Sequence, residues 1–323
     1  QRAFDLFMKC HYLSQQHSDH GVTFATGTPV SNSMVELYTL QRYLDPRGLR
    51  ERGIAHFDAW AATFGEVIET MEISPDGRTL RPRSRFAKFV NLPELLPMFR
   101  SFADVKTAAQ LTLPRPTIQG DKPQVIACPM DAAQRMLQDG LVERYEAIRN
   151  GHVKPWEDNA LAVTTDGRKL ALSPRLLDPL AEDCPWSKVN RCIEQVYMIW
   201  KETAEARSTQ LVFCDFGVHP NTWGYSVYWE VVDKLIKRGI PASQVAVIGD
   251  ADTDAKKHVL FDKVRTGSIR VLLGSTQKMG TGMNVQQRLL ALHHLDAPWK
   301  PAEVEQREGR ILRQGNGNVE VQI

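Results

Sequence analysis

Cysteine is scarce in this 323-residue chain: Cys10, Cys128, Cys184, Cys192 and Cys214 make an odd, widely spread five with no Cys-x-x-Cys pair. That argues against a disulfide framework or a zinc site built on paired thiolates, so no metal site is expected and a reducing cytoplasm is the expected setting. Long apolar runs are also lacking. No stretch reaches the about 18 residues a membrane-spanning helix needs, no signal-peptide pattern opens the chain, and no membrane partner is expected. An excess of one charge is missing too, since 40 Lys and Arg against 38 Asp and Glu leave a net charge of +2. Any polyanionic partner must therefore be sought in local charge. Two dipeptides are absent as well. Without Gly-Lys there is no Gly-x-x-x-x-Gly-Lys-Ser/Thr phosphate loop, and without Asp-Glu there is no carboxylate pair of the kind that holds magnesium and a water.

What is present suits a folded protein: 42% apolar and 24% charged residues argue against wholesale disorder. The length suffices for two domains with their own cores. The chain starts at Gln1 and stops in the strand-like residues 319–323, so both ends read as cuts through a longer protein.

Along the chain, Phe4, Phe7, Met8 and Tyr12 predict a partly buried helix over residues 1–17. Residues 21–25 read as a short buried strand that turns at Thr26-Gly27-Thr28-Pro29. Ser33 and Glu36 form a capping box for a helix with Met34, Leu37, Leu40 and Leu44 inward, ending at Asp45-Pro46. Residues 57–64 predict an amphipathic helix and Ser74-Pro75-Asp76-Gly77 a hairpin tip. Beyond it, Arg78, Arg81, Arg83, Arg85 and Lys88, with Phe86 and Phe89 interleaved, could track a phosphate backbone, although such a run is more often a solvated face. The proline-punctuated residues 92–99 and 113–116 predict irregular connections.

Residues 125–128 read as a strand, 130–149 as a helix burying Met136, Leu137, Leu141, Tyr145 and Ile148, and 151–187 as loop-rich. From residue 188 helix and strand alternate: strands are predicted at 210–215, 244–248, 269–273 and 289–295, with helices at 188–207, 228–238 and 253–266. This alternation predicts an α/β fold, a parallel sheet with helices on both faces and its ligand at the carboxyl ends of the strands. The acidic run 249–254 reads as a turn and N-cap, and the adjacent His293 and His294 face opposite sides of a strand and read as structural.

The chemistry concentrates near the end. The strand 269–273 delivers Gly274-Ser275-Thr276 and the loop Gly280-Thr281-Gly282-Met283-Asn284 to the sheet edge. A helix starting at Pro301 then sets Gln306, Arg310 and Arg313 at i, i+4 and i+7 on one face, where two guanidiniums can hold a phosphate group. A dinucleotide- or methyl-donor-binding enzyme would want Gly-x-Gly-x-x-Gly after an early strand, whereas Gly280 and Gly282 follow a late one.

These residues resemble the fifth and sixth motifs of superfamily-two helicases in the version used by Swi/Snf-like DNA translocases, with Gln306, Arg310 and Arg313 at the Gln-x-x-x-Arg-x-x-Arg spacing and Asp296 and Trp299-Lys300-Pro301 before them. Thr26-Gly27-Thr28-Pro29 is similar to the third motif, which links nucleotide and nucleic-acid sites. The resemblance implies a RecA-like second helicase lobe over 126–323, the C-terminal end of a first RecA-like lobe over 1–46 and an inserted α+β segment over 47–125. It implies an ATP-dependent DNA helicase or translocase, an ATP hydrolase in the intact protein. ATP would be bound by Gln306, Gly280, Gly282, Arg310 and Arg313, the two arginines being catalytic, with Thr26, Gly27 and Thr28 coupling the sites. DNA, mainly its phosphate backbone, would meet Ser275, Thr276, Asn284, Arg83 and Arg85. Mg2+ would be held by residues outside this chain, which should be inactive alone. The alternative is a catalytically inactive helicase-like lobe acting as a DNA-binding or interaction module. The wider segment is similar to helicase regions of very large phage and plasmid proteins that also carry a DNA methyltransferase, which implies such a region in the same parent chain and a mobile-element role.

Overall fold

The computed structural model describes residues 2–17, 20–27, 29–30, 35–73, 80–107, 110, 113–154, 156–279 and 283–323, save the side chains of residues 72, 73, 80 and 85–87. They divide into two units, Gln1–Thr112 and Leu113–Ile323.

In the first unit the order is α1 (Arg2–Gln16), α2 (Val35–Leu44), α3 (Pro46–Glu51), α4 (Phe57–Phe64), β1 (Gly65–Ile73), β2 (Leu80–Phe89) and α5 (Leu92–Arg100). Asp45 ends α2 and starts α3, its carboxylate accepting from the Gly48 amide at 2.9 Å while Pro46 fills the first turn. The core gathers Leu37, Tyr38, Leu49, Trp60, Phe64, Leu95 and Met98, and the buried Trp60 Nε1 donates to Gln41 Oε1 at 3.2 Å. β1 and β2 form the expected antiparallel hairpin. Its tip at Ser74–Gly77, with Arg78, and the Ser33 half of the capping box lie outside the described residues.

The partly buried helix expected over 1–17 is present as α1, though with a different face inward, and two further expectations fail. In α1 the face bearing Phe4, Met8 and Tyr12 is exposed and Cys10 and Ser14 are buried instead. Only Phe7 finds aromatic company, 5.4 Å from the Tyr43 ring. Residues 21–25 form no strand, because no neighbouring strand among the described residues offers a ladder. Residues 92–99 are helical rather than irregular. Pro93 sits in the first turn, where no amide is needed, and burial of Leu95 and Met98 offsets the bond lost at Pro97.

The second unit runs β3 (Thr117–Ile118), α6 (Ala132–Arg149), α7 (Ala160–Leu172), α8 (Lys188–Glu202), β4 (Thr209–Phe213), α9 (Val227–Lys237), β5 (Val245–Val247), α10 (Asp254–Arg265), β6 (Val271–Gly274), α11 (Thr276–Met279), β7 (Leu289–His294), α12 (Pro301–Glu308) and β8 (Glu320–Val321). β5, β6, β4 and β7 stand side by side in that order, all parallel. Alternation along β4 splits the core: Leu211 and Phe213 meet Leu260, Phe261 and Val264 of α10 on one face. Val212 meets Val189, Ile193 and Val196 of α8 and Val231 and Leu235 of α9 on the other. The expected α/β sheet with helices on both faces is therefore present.

The expected strand at 125–128 is not. Val125 is 89% exposed, and the parallel pairing goes instead to β3 with β8. The loop-rich stretch 151–187 also contains α7, a helix its sequence did not announce, capped by Asn159, whose side chain accepts from the Ala162 amide at 3.0 Å. Met136 of α6 is exposed and Tyr145 buried, so that helix presents a narrower apolar stripe than its sequence suggests. Thr253 caps α10 as the acidic run implied.

Candidate functional site

Parallel strands bring their carboxyl ends to one edge, so Asp215 after β4, Ser275 and Thr276 after β6, and Asp296 after β7 meet there. Gly274 permits this closeness, because a Cβ on it would stand 2.5 Å from Ile248 Cγ2 and 2.7 Å from Met279 Cγ. Among these groups lies the guanidinium of Arg307, from α12, with 0% of the residue exposed. Its Nε donates to Thr276 Oγ1 at 2.8 Å, Nη1 to the Asp296 carbonyl at 2.7 Å, and Nη2 to Asp215 Oδ2 at 2.7 Å and Asp296 Oδ1 at 3.1 Å. The Phe213 ring lies 5.2 Å away. The carboxylates are themselves fixed. Asp215 accepts from the Thr276 amide at 2.7 Å and hydroxyl at 2.8 Å. Asp296 Oδ2 accepts from the amides of Asp215 at 2.5 Å and Phe216 at 3.2 Å.

Burial pushes the Asp296 carboxyl above its usual range, against the opposing pull of the Asp215 amide and Arg307. Burial, with Arg307 beside it, pushes His294 down to about 4. His294 is therefore neutral near pH 7, and its Nδ1 accepts from Arg307 Nη1 at 3.4 Å. The 3.4 Å approach of its Nε2 to Glu308 is accordingly a polar contact rather than an ion pair. His293, across the strand, shares 2.9 Å with Gln210 Oε1, and burial pushes it down to about 4 as well.

α12 stops at Glu308, so Gln306, Arg310 and Arg313 do not share a helix face as their spacing predicted. Gly309 ends the helix and the two arginines ride on the turns that follow. They nonetheless converge: Nη1 of each is 3.5 Å from the Met283 carbonyl. Burial and the nearby Arg313 push Arg310 below its ordinary value. Gln306 and Asn284 are exposed, and the Asn284 carbonyl accepts from Arg265 at 2.9 Å. Ser275 is half-buried, its hydroxyl 3.4 Å from the Lys278 amide. Gly280 and Gly282 lie outside the described residues, as does Thr28.

In the first unit Thr26 and Gly27 are exposed. Arg83 is exposed on β2; Arg85 pairs with Ile68 in the ladder, and its side chain is outside the described set. The basic run is partly answered across the hairpin, where Glu66 pairs with Lys88 at 3.2 Å and Glu69 accepts from Ser84 at 3.0 Å. Among the described residues no group of three or more His, Cys, Asp or Glu could hold a metal ion. Sequence reasoning missed Arg307 and Asp215. Asp215 could have been found as a strand-end Asp matching Asp296, whereas nothing distinguishes Arg307 from its exposed neighbours.

The second unit is thus an α/β protein module whose carboxyl edge gathers carboxylates, hydroxyls and arginines. Residues 193–315 match the family model of the helicase conserved C-terminal domain, and residues 1–107 that of a probable helicase domain. Over these two stretches the chain is similar to helicase domains. No curated protein matches it. Among solved structures, the Pyrococcus furiosus Hef helicase domain is 16% identical with a TM-score of 0.30, the likeness covering 59% of this chain and 35% of that one. The chain therefore spans about a third of the Hef structure's length. The C-terminal part of the Fun30 ATPase domain is 13% identical with a TM-score of 0.39, covering 65% of this chain and 85% of that one. The fold assignment rests on the strand ladder itself.

Proposed function

We propose that this chain is part of an ATP-dependent DNA helicase or translocase of the Swi/Snf-like type. In this reading residues 126–323 are the second lobe, 1–46 the end of the first, and 47–125 an insertion. The observation that carries it is the convergence of Arg310 and Arg313 on the Met283 carbonyl, directly after the buried Arg307. Two cations on turns at the carboxyl edge suit a γ-phosphate, where they stabilise the charge that develops in phosphoryl transfer. Arg307 cannot take that role, because its guanidinium is committed to Asp215, Thr276 and Asp296. Its part is to fix the edge from which the other two project. Thr276 is committed in the same way, so contact with DNA phosphates falls to Ser275 and to main-chain amides near Asn284, and reads no sequence.

The phosphate loop and the magnesium carboxylates lie in residues upstream of this chain in the same reading, and the parent protein also carries a methyltransferase region and serves a mobile element. The test is ATP hydrolysis, with and without DNA, by the polypeptide extended upstream through a whole first lobe, beside its Arg310→Ala variant. DNA-stimulated turnover that falls about 10³-fold or more in the variant, with DNA binding kept, is expected. No turnover in either protein, with DNA still bound, would instead identify an inactive lobe used as a binding module.

A further inference from the structure

We infer that Arg168, on α7, is a positioning residue for the segment that carries Arg307, Arg310 and Arg313. Its guanidinium carbon lies 4.6 Å from the centre of the Phe216 ring and 4.8 Å from that of Trp299. Its Nη2 donates to the Ala297 carbonyl at 2.6 Å. One flat cation therefore contacts two aromatic rings while its edge donates to the backbone, a combination that a lysine ammonium cannot reproduce.

The two loops it joins are the two that the site depends on. Phe216 belongs to the loop after β4, which contains Asp215, and Ala297 and Trp299 to the loop from β7 to α12. Asp296 ties the same loops from within, through the amides of Asp215 and Phe216. Arg168 is a second tie between them, supplied by a different helix. Trp299 is 61% exposed, so this stack rather than burial holds its ring. Pro301 begins α12 only two residues later, and the height and rotation of that helix decide where Arg307, and the turns after it that bear Arg310 and Arg313, lie.

α7 is a firm base for such a tie. Asp166 accepts from Arg144 of α6 at 3.0 Å and from Lys169 at 3.1 Å, and Arg144 also holds Asp158 at 2.8 Å. Leu170 and Leu172 are buried, and Leu172 packs into the core formed with α8 and α9. Arg168 thus projects from a well-anchored helix onto the part of that loop beyond Asp296, at Ala297 and Trp299.

The structural claim stands on these contacts; its catalytic consequence rests on the ATP-dependent reading proposed above. Amide hydrogen exchange on the 323-residue chain tests the first. In Arg168→Ala, exchange over residues 297–300 and 307–313 should rise about tenfold while the α10 amides stay unchanged. Arg168→Lys, which keeps the charge without the flat stack, should behave like the alanine variant, and Trp299→Phe, which keeps a ring, should remain near wild type. Unchanged exchange in Arg168→Ala, or an equal rise in α10, would overturn the proposal. In the extended polypeptide, kcat for ATP should fall about tenfold in Arg168→Ala with KM and DNA affinity nearly unchanged. Normal kcat despite loosened exchange would leave the positioning without effect on turnover and refute that half. An inactive wild type would refute the ATP-dependent reading, while the exchange result still decides the tie.

Discussion

Replacing Arg307 by methionine removes the cation but keeps a long, unbranched side chain, so the loss reports charge and hydrogen bonds more than volume. The change strands two carboxylates of unequal fate. The Asp215 side chain is 27% exposed and can recover water, whereas that of Asp296 is 7% exposed and cannot. Breaking a buried pair by removing one partner typically costs ~3–5 kcal/mol, and Thr276 and His294 also lose a donor. For a unit of this size that corresponds to a fall in Tm of about 6–20 °C.

The pH dependence gives the sharper test. Burial already holds Asp296 above its unfolded value, so the folded state binds the extra proton in the window just above 3.8 and stability falls as pH rises through it. Without Arg307 the folded value climbs further and the window widens upward. The variant's deficit should therefore be smallest in mild acid and largest near neutrality, as read by urea unfolding at a series of pH values. Asp296→Asn in the Arg307→Met background should recover a good part of it. A deficit below ~1 kcal/mol at neutral pH, or one independent of pH, would refute the view that Arg307 compensates a buried charge.

Gly274→Ala should cost ~1–3 kcal/mol, because its Cβ would enter the space of Ile248 and Met279. The displaced strand end should shift the Thr276 amide resonance, and an unmoved resonance with unchanged stability would count against the close approach. His293, held neutral and pushed down to about 4 from 6.5, binds its proton more readily in the unfolded chain. Its stabilising share is complete above pH 6.5 and is lost as pH falls towards 4, up to ~3 kcal/mol in all. His293→Gln should flatten that acid limb of the stability curve.

The regular half of the chain was legible because burial and period agree there: β4 is buried on both faces, and α8 and α9 carry strong single stripes. Legibility failed where local pattern and tertiary partner part company. Phe4, Met8 and Tyr12 have helical spacing but no cover, and residues 125–128 have strand composition but no ladder. Residues 92–99 look irregular from their prolines, yet Pro93 falls where a helix tolerates it. At the site, Asp296 and Thr276 could be named from motif order, but their work inside the edge could not.

Arg307 shows why. It follows Gln306 in a run of charged residues, and by spacing alone Gln306, Arg310 and Arg313 look like the chemical face of one helix. The helix ends at Gly309 instead, and that early end is what allows both arrangements at once. Arg307, on the last helical turn, points inward to Asp215 and Asp296, while the turns after Gly309 swing Arg310 and Arg313 round to Met283. A helix continued through residue 313 would hold Arg307 and Arg310 three residues apart on neighbouring positions of one face, leaving one of them to serve the carboxylates and the loop together. The break separates a cation spent on holding three strand ends from a pair left at the edge. Extending α12 with Gly309→Ala should therefore leave Arg307 buried, but would draw Arg310 and Arg313 away from the loop that they share.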